Sequence, residues 1–336
     1  MNSGTISHYR IIRELGAGGM GEVYLAEDIR LGREVALKFL PASYQYDPDR
    51  RTKFMAEARA TSALRSPHIA AIYDIGEHED SIFIVMEYVE GELLSVKLER
   101  GPVALRESID IAKQIADALS EAHELGIVHC DIKSSNLIIN DRGLVKILDF
   151  GIARITEAPP HSSGDKTKKL GQQTAYGAVL GTVSYMSPEQ AIGRAVDHRS
   201  DIFSLGVVLF EMLTARLPFE GETAVEVIDK IIHDEPLAVA RLNYSVPPEL
   251  ERIVRKCLEK ERDRRYQSTR ELLIDLNNLQ RDSDSESRTS YGLNRHTQTV
   301  RRPRSRRSID SLAILPLINM SGDTDAEYLS DGITET

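Results

Sequence analysis

The stretch His129-Cys130-Asp131-Ile132-Lys133-Ser134-Ser135-Asn136, followed one short strand later by Asp149-Phe150-Gly151, decides how this chain reads. Two carboxylates, a lysine and an amide stand close together in sequence, at spacings that suit a metal–nucleotide site. Phosphoryl transfer asks little covalent chemistry of a protein. The work is to hold a divalent cation, phosphate oxygens and an acceptor hydroxyl in line and to offset charge. These residue types suit that work: Asp131 to accept the proton of an incoming hydroxyl, Asn136 and Asp149 to hold metal, and Lys133 to screen the transferred group.

Upstream, Leu15-Gly16-Ala17-Gly18-Gly19-Met20-Gly21-Glu22-Val23 forms a glycine-rich turn between two extended runs, where missing side chains let backbone N–H groups approach phosphate. Alone the signal is weak, since glycine clusters mostly mark ordinary turns. Val35-Ala36-Leu37-Lys38 strengthens it: the residues read as a half-buried strand carrying one lysine that needs an anion. Glu57 is the natural partner, in a helical stretch over 51–64 where Phe54, Ala58 and Thr61 recur at one-turn spacing. Its plainer alternative is a solvated helix carboxylate.

The order of these parts resembles that of the eukaryotic-like protein kinases: glycine loop, strand lysine, helix glutamate, Glu87-Tyr88-Val89 after an apolar strand, catalytic loop, metal loop, and Ser187-Pro188-Glu189. The resemblance covers about residues 9–280 and points to the bacterial serine/threonine branch. It implies an α+β, bilobal fold, with a small β-rich lobe over 9–89, a larger helical lobe over 90–280, and ATP between them. Gly16, Gly18 and Gly21 would then cover phosphate, and Lys38, paired with Glu57, would hold it. Leu15, Val23, Ala36 and Ile138 would sandwich adenine, with Met86 as gatekeeper and the backbone from Glu87 to Val89 as hinge. Asp131 would be the base, Lys133 its neighbouring cation, and Asn136 and Asp149 the ligands of Mg²⁺, with Mn²⁺ an alternative. Thr182 and Lys133 point to serine or threonine acceptors.

The chain departs from the family pattern in places. Cys130 stands where an arginine usually helps receive an activation-segment phosphate, Phe203 replaces a frequent tryptophan, and Arg262 replaces a proline. The segment between Asp149 and Glu189 is long, with Thr174 the first candidate for autophosphorylation and Thr167 and Ser163 behind it. His129 reads as a structural residue that stacks with Phe150. Glu189 is expected to pair with Arg265, and Asp201, at the start of an almost wholly apolar helix ending at Thr214, must find hydrogen-bond donors if buried. A further amphipathic helix is expected over 106–125, stopped by Gly126 before an Ile127-Val128 strand.

At 336 residues and a formal charge of −10, the chain can bury a full core, and wholesale nucleic-acid binding is disfavoured as its main task. Two cysteines do not make a disulfide framework. The N-terminus lacks a signal-peptide pattern and no run has the length of a membrane helix, so a cytoplasmic location is expected. Residues 281–308 read as a disordered Arg/Ser-rich linker, with weak contact to an anionic lipid or nucleic acid as its sharper alternative. Residues 309–336, with Ser311-Leu312-Ala313-Ile314-Leu315-Pro316-Leu317, resemble the opening of a TolB-like module of the kind that precedes tetratricopeptide repeats. Expected partners are ATP, protein substrates bearing Ser or Thr, and a second copy for trans-autophosphorylation. A nucleotide-binding pseudokinase and a scaffold working through a C-terminal module are the competing readings. Retention of Lys38, Asp131 and Asp149 favours the enzyme.

Overall fold

The computed structural model describes residues 4–18, 21–40, 48–78, 81–150 and 183–293. The first part is built on one antiparallel sheet. Strands β1 (Thr5–Ile6), β2 (Tyr9–Gly18), β3 (Gly21–Asp28) and β4 (Arg33–Phe39) precede helix α1 (Pro48–Thr61), and β5 (Ile72–His78) and β6 (Ser81–Glu87) complete the sheet in the order β1-β2-β3-β4-β6-β5. Gly18 faces Gly21 across the β2–β3 turn, and Gly21 takes φ 112°, a value open only to glycine at little cost.

Strand β4 is buried on both faces, where the sequence pattern had implied one. Val35, Leu37 and Phe39 join Tyr24, Phe83 and Val85 on one side. Ala36 joins Leu40, Ile84 and Met86 on the other, with Met55 of α1 packed against that cluster. The strand lies between β3 and β6, and Lys38 is drawn into the interior with it, 2% exposed. A single lysine in an apolar strand looks like a polar face in sequence; only the sheet order shows that it is not.

The second part is helical. Strand β7 (Glu92–Leu93) leads into α2 (Leu94–Leu98) and α3 (Leu105–Glu124); β8 (Leu137–Ile139) and β9 (Val145–Ile147) complete a three-stranded sheet ordered β7-β8-β9. Helices α4 (Pro188–Ala191), α5 (Arg199–Thr214), α6 (Ala224–His233), α7 (Val239–Leu242), α8 (Pro248–Cys257) and α9 (Thr269–Leu293) follow. Ile111, Ile115, Leu119 and Ala122 of α3 form the expected buried stripe, and Gly126 takes φ 73° just past its end. Ile127 and Val128 form no strand. The Ile127 N–H folds back onto the Ala122 carbonyl at 2.9 Å, as part of the helix stop.

Helix α5 is the centre of this part. Ile202, Phe203, Leu205, Val207, Val208, Leu209 and Phe210 are all buried, so apolar residues face every direction, as a helix with almost no polar positions requires. Gly206 lets α8 approach: a Cβ there would lie 2.5 Å from Cys257 Cβ. Phe203, at the position of the family's frequent tryptophan, stacks parallel to Phe219 at 6.2 Å.

Residues 281–293 correct the expectation of a disordered linker beginning at 281, because α9 runs through them to Leu293. Leu272, Leu276 and Leu279 anchor the first turns in the core. Once a helix is nucleated, each further residue is added at little cost even without an apolar stripe. The remainder of the expected linker and the whole of the TolB-like segment lie outside the described residues. So do the activation segment with Ser163, Thr167, Thr174 and Thr182, and Gly151 of the metal loop. Among the described residues no helix is long and apolar enough to cross a membrane.

Candidate active site

Asp131 sits at the end of α3's return, on a loop fixed from several directions. Asp201, fully buried at the start of α5, accepts the His129 N–H through Oδ2 and the Cys130 N–H through Oδ1, both at 2.8 Å, and meets His123 Nε2 at 2.8 Å. The burial cost of the carboxylate is thereby met by three donors, two of them the backbone next to Asp131. His129 has the structural role expected of it: its Nε2 bonds the Leu148 carbonyl at 3.0 Å and its Nδ1 accepts the Asp131 N–H at 3.1 Å. It meets Phe150 edge-on instead of stacking, at 4.6 Å between centroids and 69° between planes. An edge contact places the positive rim of one ring on the face of the other.

The side chains of the catalytic loop converge on one oxygen. Lys133 Nζ lies 2.7 Å from Asp131 Oδ2, and Asn136 Nδ2 donates to the same atom at 3.0 Å and to the Asp131 carbonyl at 2.9 Å. Asn136, on the turn Ser134–Asn136, therefore keeps its amide nitrogen on Asp131 and its amide oxygen for another partner. Asp149 follows β9 in a left-handed conformation, φ 57°. Its Oδ2 pairs with Lys38 Nζ at 2.7 Å. The strand lysine and the metal-loop aspartate are thus brought together from opposite parts of the chain. Glu57 lies on α1, but its side chain is outside the described residues, and with it the expected Lys38–Glu57 pair.

The donor set suits a hard divalent cation. Asp149 offers carboxylate oxygen and Asn136 amide oxygen, and a small cation of this kind usually binds one or two carboxylates together with substrate phosphates. Among the described residues no cluster of three or more His, Cys, Asp or Glu forms an all-protein metal cage.

Of the apolar residues expected around adenine, Val23 and Ala36 are placed by strand register and the others lie on separate strands. Ala36 is opposite Leu25 on one side and Met86 on the other, and Val23 is opposite Lys38. Leu15 lies on β2 and Ile138 on β8, where it faces Leu93. The Glu87 side chain turns away: its Oε2 pairs with Lys146 at 2.8 Å and accepts the Ala71 N–H at 3.1 Å, while the Glu87 N–H donates to the Ala71 carbonyl at 2.8 Å. These bonds engage both the N–H and the carboxylate of Glu87. Gly91 was not singled out from sequence. It takes φ 152°, and a Cβ there would lie 2.5 Å from the Ile139 carbonyl, so only glycine lets the chain beyond Val89 lie against β8.

Other supports were also invisible in sequence. Tyr185 donates to Glu211 Oε2 at 2.6 Å and bonds Ser134 Oγ at 2.8 Å, joining α5 to the catalytic loop. Burial pushes the carboxyl of Glu211 above its ordinary value, against the hydrogen bonds from Tyr185 and Ser134. The expected Glu189–Arg265 pair is present as a buried fork, with both N–O distances 2.8 Å. Burial pushes the Glu189 carboxyl up, but the bonds from Arg265 and Ser200 outweigh it and hold the group below the usual range. Arg262, in place of proline, opens a turn over Arg262–Arg264 and reaches Asp197 Oδ2 and the Ala195 carbonyl, each at 3.0 Å.

A model of the protein kinase domain matches residues 9–274. This chain belongs to the protein kinase domain family. It is 42% identical over 269 residues to the serine/threonine-protein kinase PrkC of Bacillus subtilis, a match covering 80% of this chain and 40% of that protein. It is also 42% identical over 273 residues to the serine/threonine-protein kinase PknB of Mycolicibacterium smegmatis, covering 80% and 42% respectively. The chain thus spans about two fifths of the length of these curated relatives. The crystal structure of the PknI kinase domain of Mycobacterium tuberculosis superposes with a TM-score of 0.63 at 24% identity, over 83% of this chain and 98% of that one, which supports the two-part kinase fold. Kinase-family membership implies use of ATP and a divalent cation.

Proposed function

We infer that this chain is an ATP-dependent protein serine/threonine kinase of bacterial signalling, with Mg²⁺ as the cation. The observation that carries the reading is the convergence of Lys133 and Asn136 on Asp131 Oδ2 together with the Lys38–Asp149 pair, which supports reading these residues as base, metal ligands and phosphate-binding lysine of one site. With Oδ2 engaged twice, Asp131 Oδ1 takes the proton of the acceptor hydroxyl. Lys133 offsets the negative charge that gathers beside it. Lys38 holds phosphate oxygens, and Asn136 and Asp149 hold the cation, which when bound neutralises phosphate charge. Names of the two curated relatives support serine and threonine as acceptors.

Autophosphorylation of the segment between Asp149 and Glu189, through a second copy, belongs to the same proposal, as does a cytoplasmic location. So do the kinase domain limits of 9–280 and a TolB-like module opening at 309. The pseudokinase reading has no observation in its favour, because none of the residues it would lack is missing. Mixing purified protein with labelled ATP, Mg²⁺ and a generic protein acceptor tests the central claim. Transfer to serine or threonine is expected from the native chain, with a loss of roughly 10²- to 10⁴-fold in Asp131→Asn, the usual worth of a positioned base. Equal turnover in that variant would remove Asp131 from its role.

A further inference from the structure

Residue 130 is uncharged, yet its backbone is held at both ends. Cys130 takes a left-handed conformation, φ 66°, which costs a non-glycine residue of order 1 kcal/mol or more and persists only where the surroundings impose it. Its N–H donates to Asp201 Oδ1 at 2.8 Å. Its carbonyl accepts from Gln190 Nε2 at 2.7 Å.

The same glutamine has a second attachment. Gln190 Oε1 accepts the N–H of Ser187 at 2.9 Å and its hydroxyl at 3.1 Å, and Ser187 Oγ caps the Gln190 N–H at 3.4 Å. This is a capping box at the start of α4. Such a box needs only an acceptor at its last position, so glutamate and glutamine serve it equally. Only glutamine also presents a donor, and here that donor goes to the peptide immediately before Asp131. The α4 turn is itself fixed, because Glu189 is forked to the buried Arg265.

We propose that Gln190 is a positioning residue, whose amide carries the rigidity of the α4 turn onto the catalytic loop and sets the backbone from which Asp131 reaches the acceptor. The inference rests on Asp131 as base. A strap of this kind holds the loop through its backbone, independently of any charge on the side chain at position 130. A displacement of about 1 Å at a reacting group is enough to cost on the order of 10²-fold in rate, so a single strap at this point has leverage on turnover.

The test compares Gln190→Glu, Gln190→Ala and the native chain in labelled-ATP transfer to a generic protein acceptor, with nucleotide titration and thermal unfolding alongside. Gln190→Glu keeps the acceptor for Ser187 and loses the donor to Cys130. Its unfolding midpoint and ATP affinity should stay near those of the native chain while kcat falls at least tenfold, a barrier increase of about 1.4 kcal/mol. Gln190→Ala should lose as much turnover and also some thermal stability. A Gln190→Glu enzyme within twofold of native kcat would reduce Gln190 to a helix cap and overturn the proposal, as would native turnover in Gln190→Ala. Asp131→Asn run in parallel separates this from the base assignment: native rates there would sink the assignment itself, whatever position 190 does.

Discussion

Lys38 is 2% exposed and its ammonium meets Asp149 at 2.7 Å, so among the described residues the two charges compensate each other. Removing one member of a buried pair leaves the second stranded, whereas removing both does not. The stability losses of Lys38→Met and Asp149→Asn should therefore sum to more than the loss in the double variant. A double-mutant cycle in urea is expected to give a coupling of at least about 1 kcal/mol, and simple additivity would show that the pair contributes nothing in the free protein. Both single variants should also weaken Mg²⁺-dependent nucleotide binding. Ala36 poses the opposite constraint. It is 6% exposed between Leu25 and Met86, and any larger side chain must project into the space expected for adenine. Ala36→Phe should abolish nucleotide binding in a titration while the protein still unfolds cooperatively; unchanged affinity would move the nucleotide elsewhere.

Between elements, the close approach of α5 and α8 is decided at Gly206. A Cβ there would meet Cys257 Cβ at 2.5 Å, an atom bonded directly to the backbone that cannot swing aside, and Leu258 Cδ2 at 3.2 Å. Gly206→Ala, a change that would favour an exposed helix, should instead destabilise by about 1–3 kcal/mol through overpacking. Chemical denaturation measures this directly, and a gain in stability would show that α8 can retreat freely. Cys257 itself is sealed in that contact, with burial pushing its thiol up to about 12, so it should resist alkylation until the protein unfolds. The link from α4 to the turn at Arg262–Arg264 is electrostatic. Arg265 has no exposed guanidinium atoms to rehydrate in the fold, and Arg265→Leu would leave Glu189 buried and unpaired, at a cost of roughly 3–5 kcal/mol.

For the molecule as a whole, depressed carboxylates predict how stability falls in acid. Asp197 is pushed up by burial but held down more strongly by Arg199 and Arg262, to about 2 from an ordinary 3.8. Glu189 is shifted in the same direction. A carboxylate with a lower folded than unfolded pKa stabilises the protein fully above the unfolded value and loses that contribution as pH falls through the folded one. Stability should therefore be flat in this contribution above about pH 5 and decline between roughly pH 4 and pH 2. Arg199→Met should flatten that decline in acid-unfolding curves, and an unchanged profile would discount Asp197. At the same scale, the absence of a fixed charge at Cys130 predicts that the Thr167→Ala, Thr174→Ala variant retains turnover within about tenfold of the native chain on a generic substrate. A hundredfold loss, reversed by Cys130→Arg only when both threonines are present, would show that phosphate controls the loop after all.

The sequence by itself determined the family and named most of the residues of the proposed site. Asp131, Lys133, Asn136 and Asp149 are legible because spacing along a short loop fixes which side chains can share a metal and a phosphate. Glycine at 21, the stop at Gly126 and the wholly apolar run of α5 are equally local, since each follows from the conformational range or hydropathy of a few consecutive residues. The tertiary structure alone decided the rest. Lys38 on Asp149, Gln190 on the Cys130 carbonyl, Ser134 with Tyr185 and Glu211, and Gly91 against β8 join segments far apart in the chain, and no periodicity records a contact of that kind. The buried second face of β4 depends on sheet order, and the extension of α9 past residue 281 depends on its anchored first turns. In each case the residue types permit several partners, and the burial of the surrounding apolar surface selects the one that is formed.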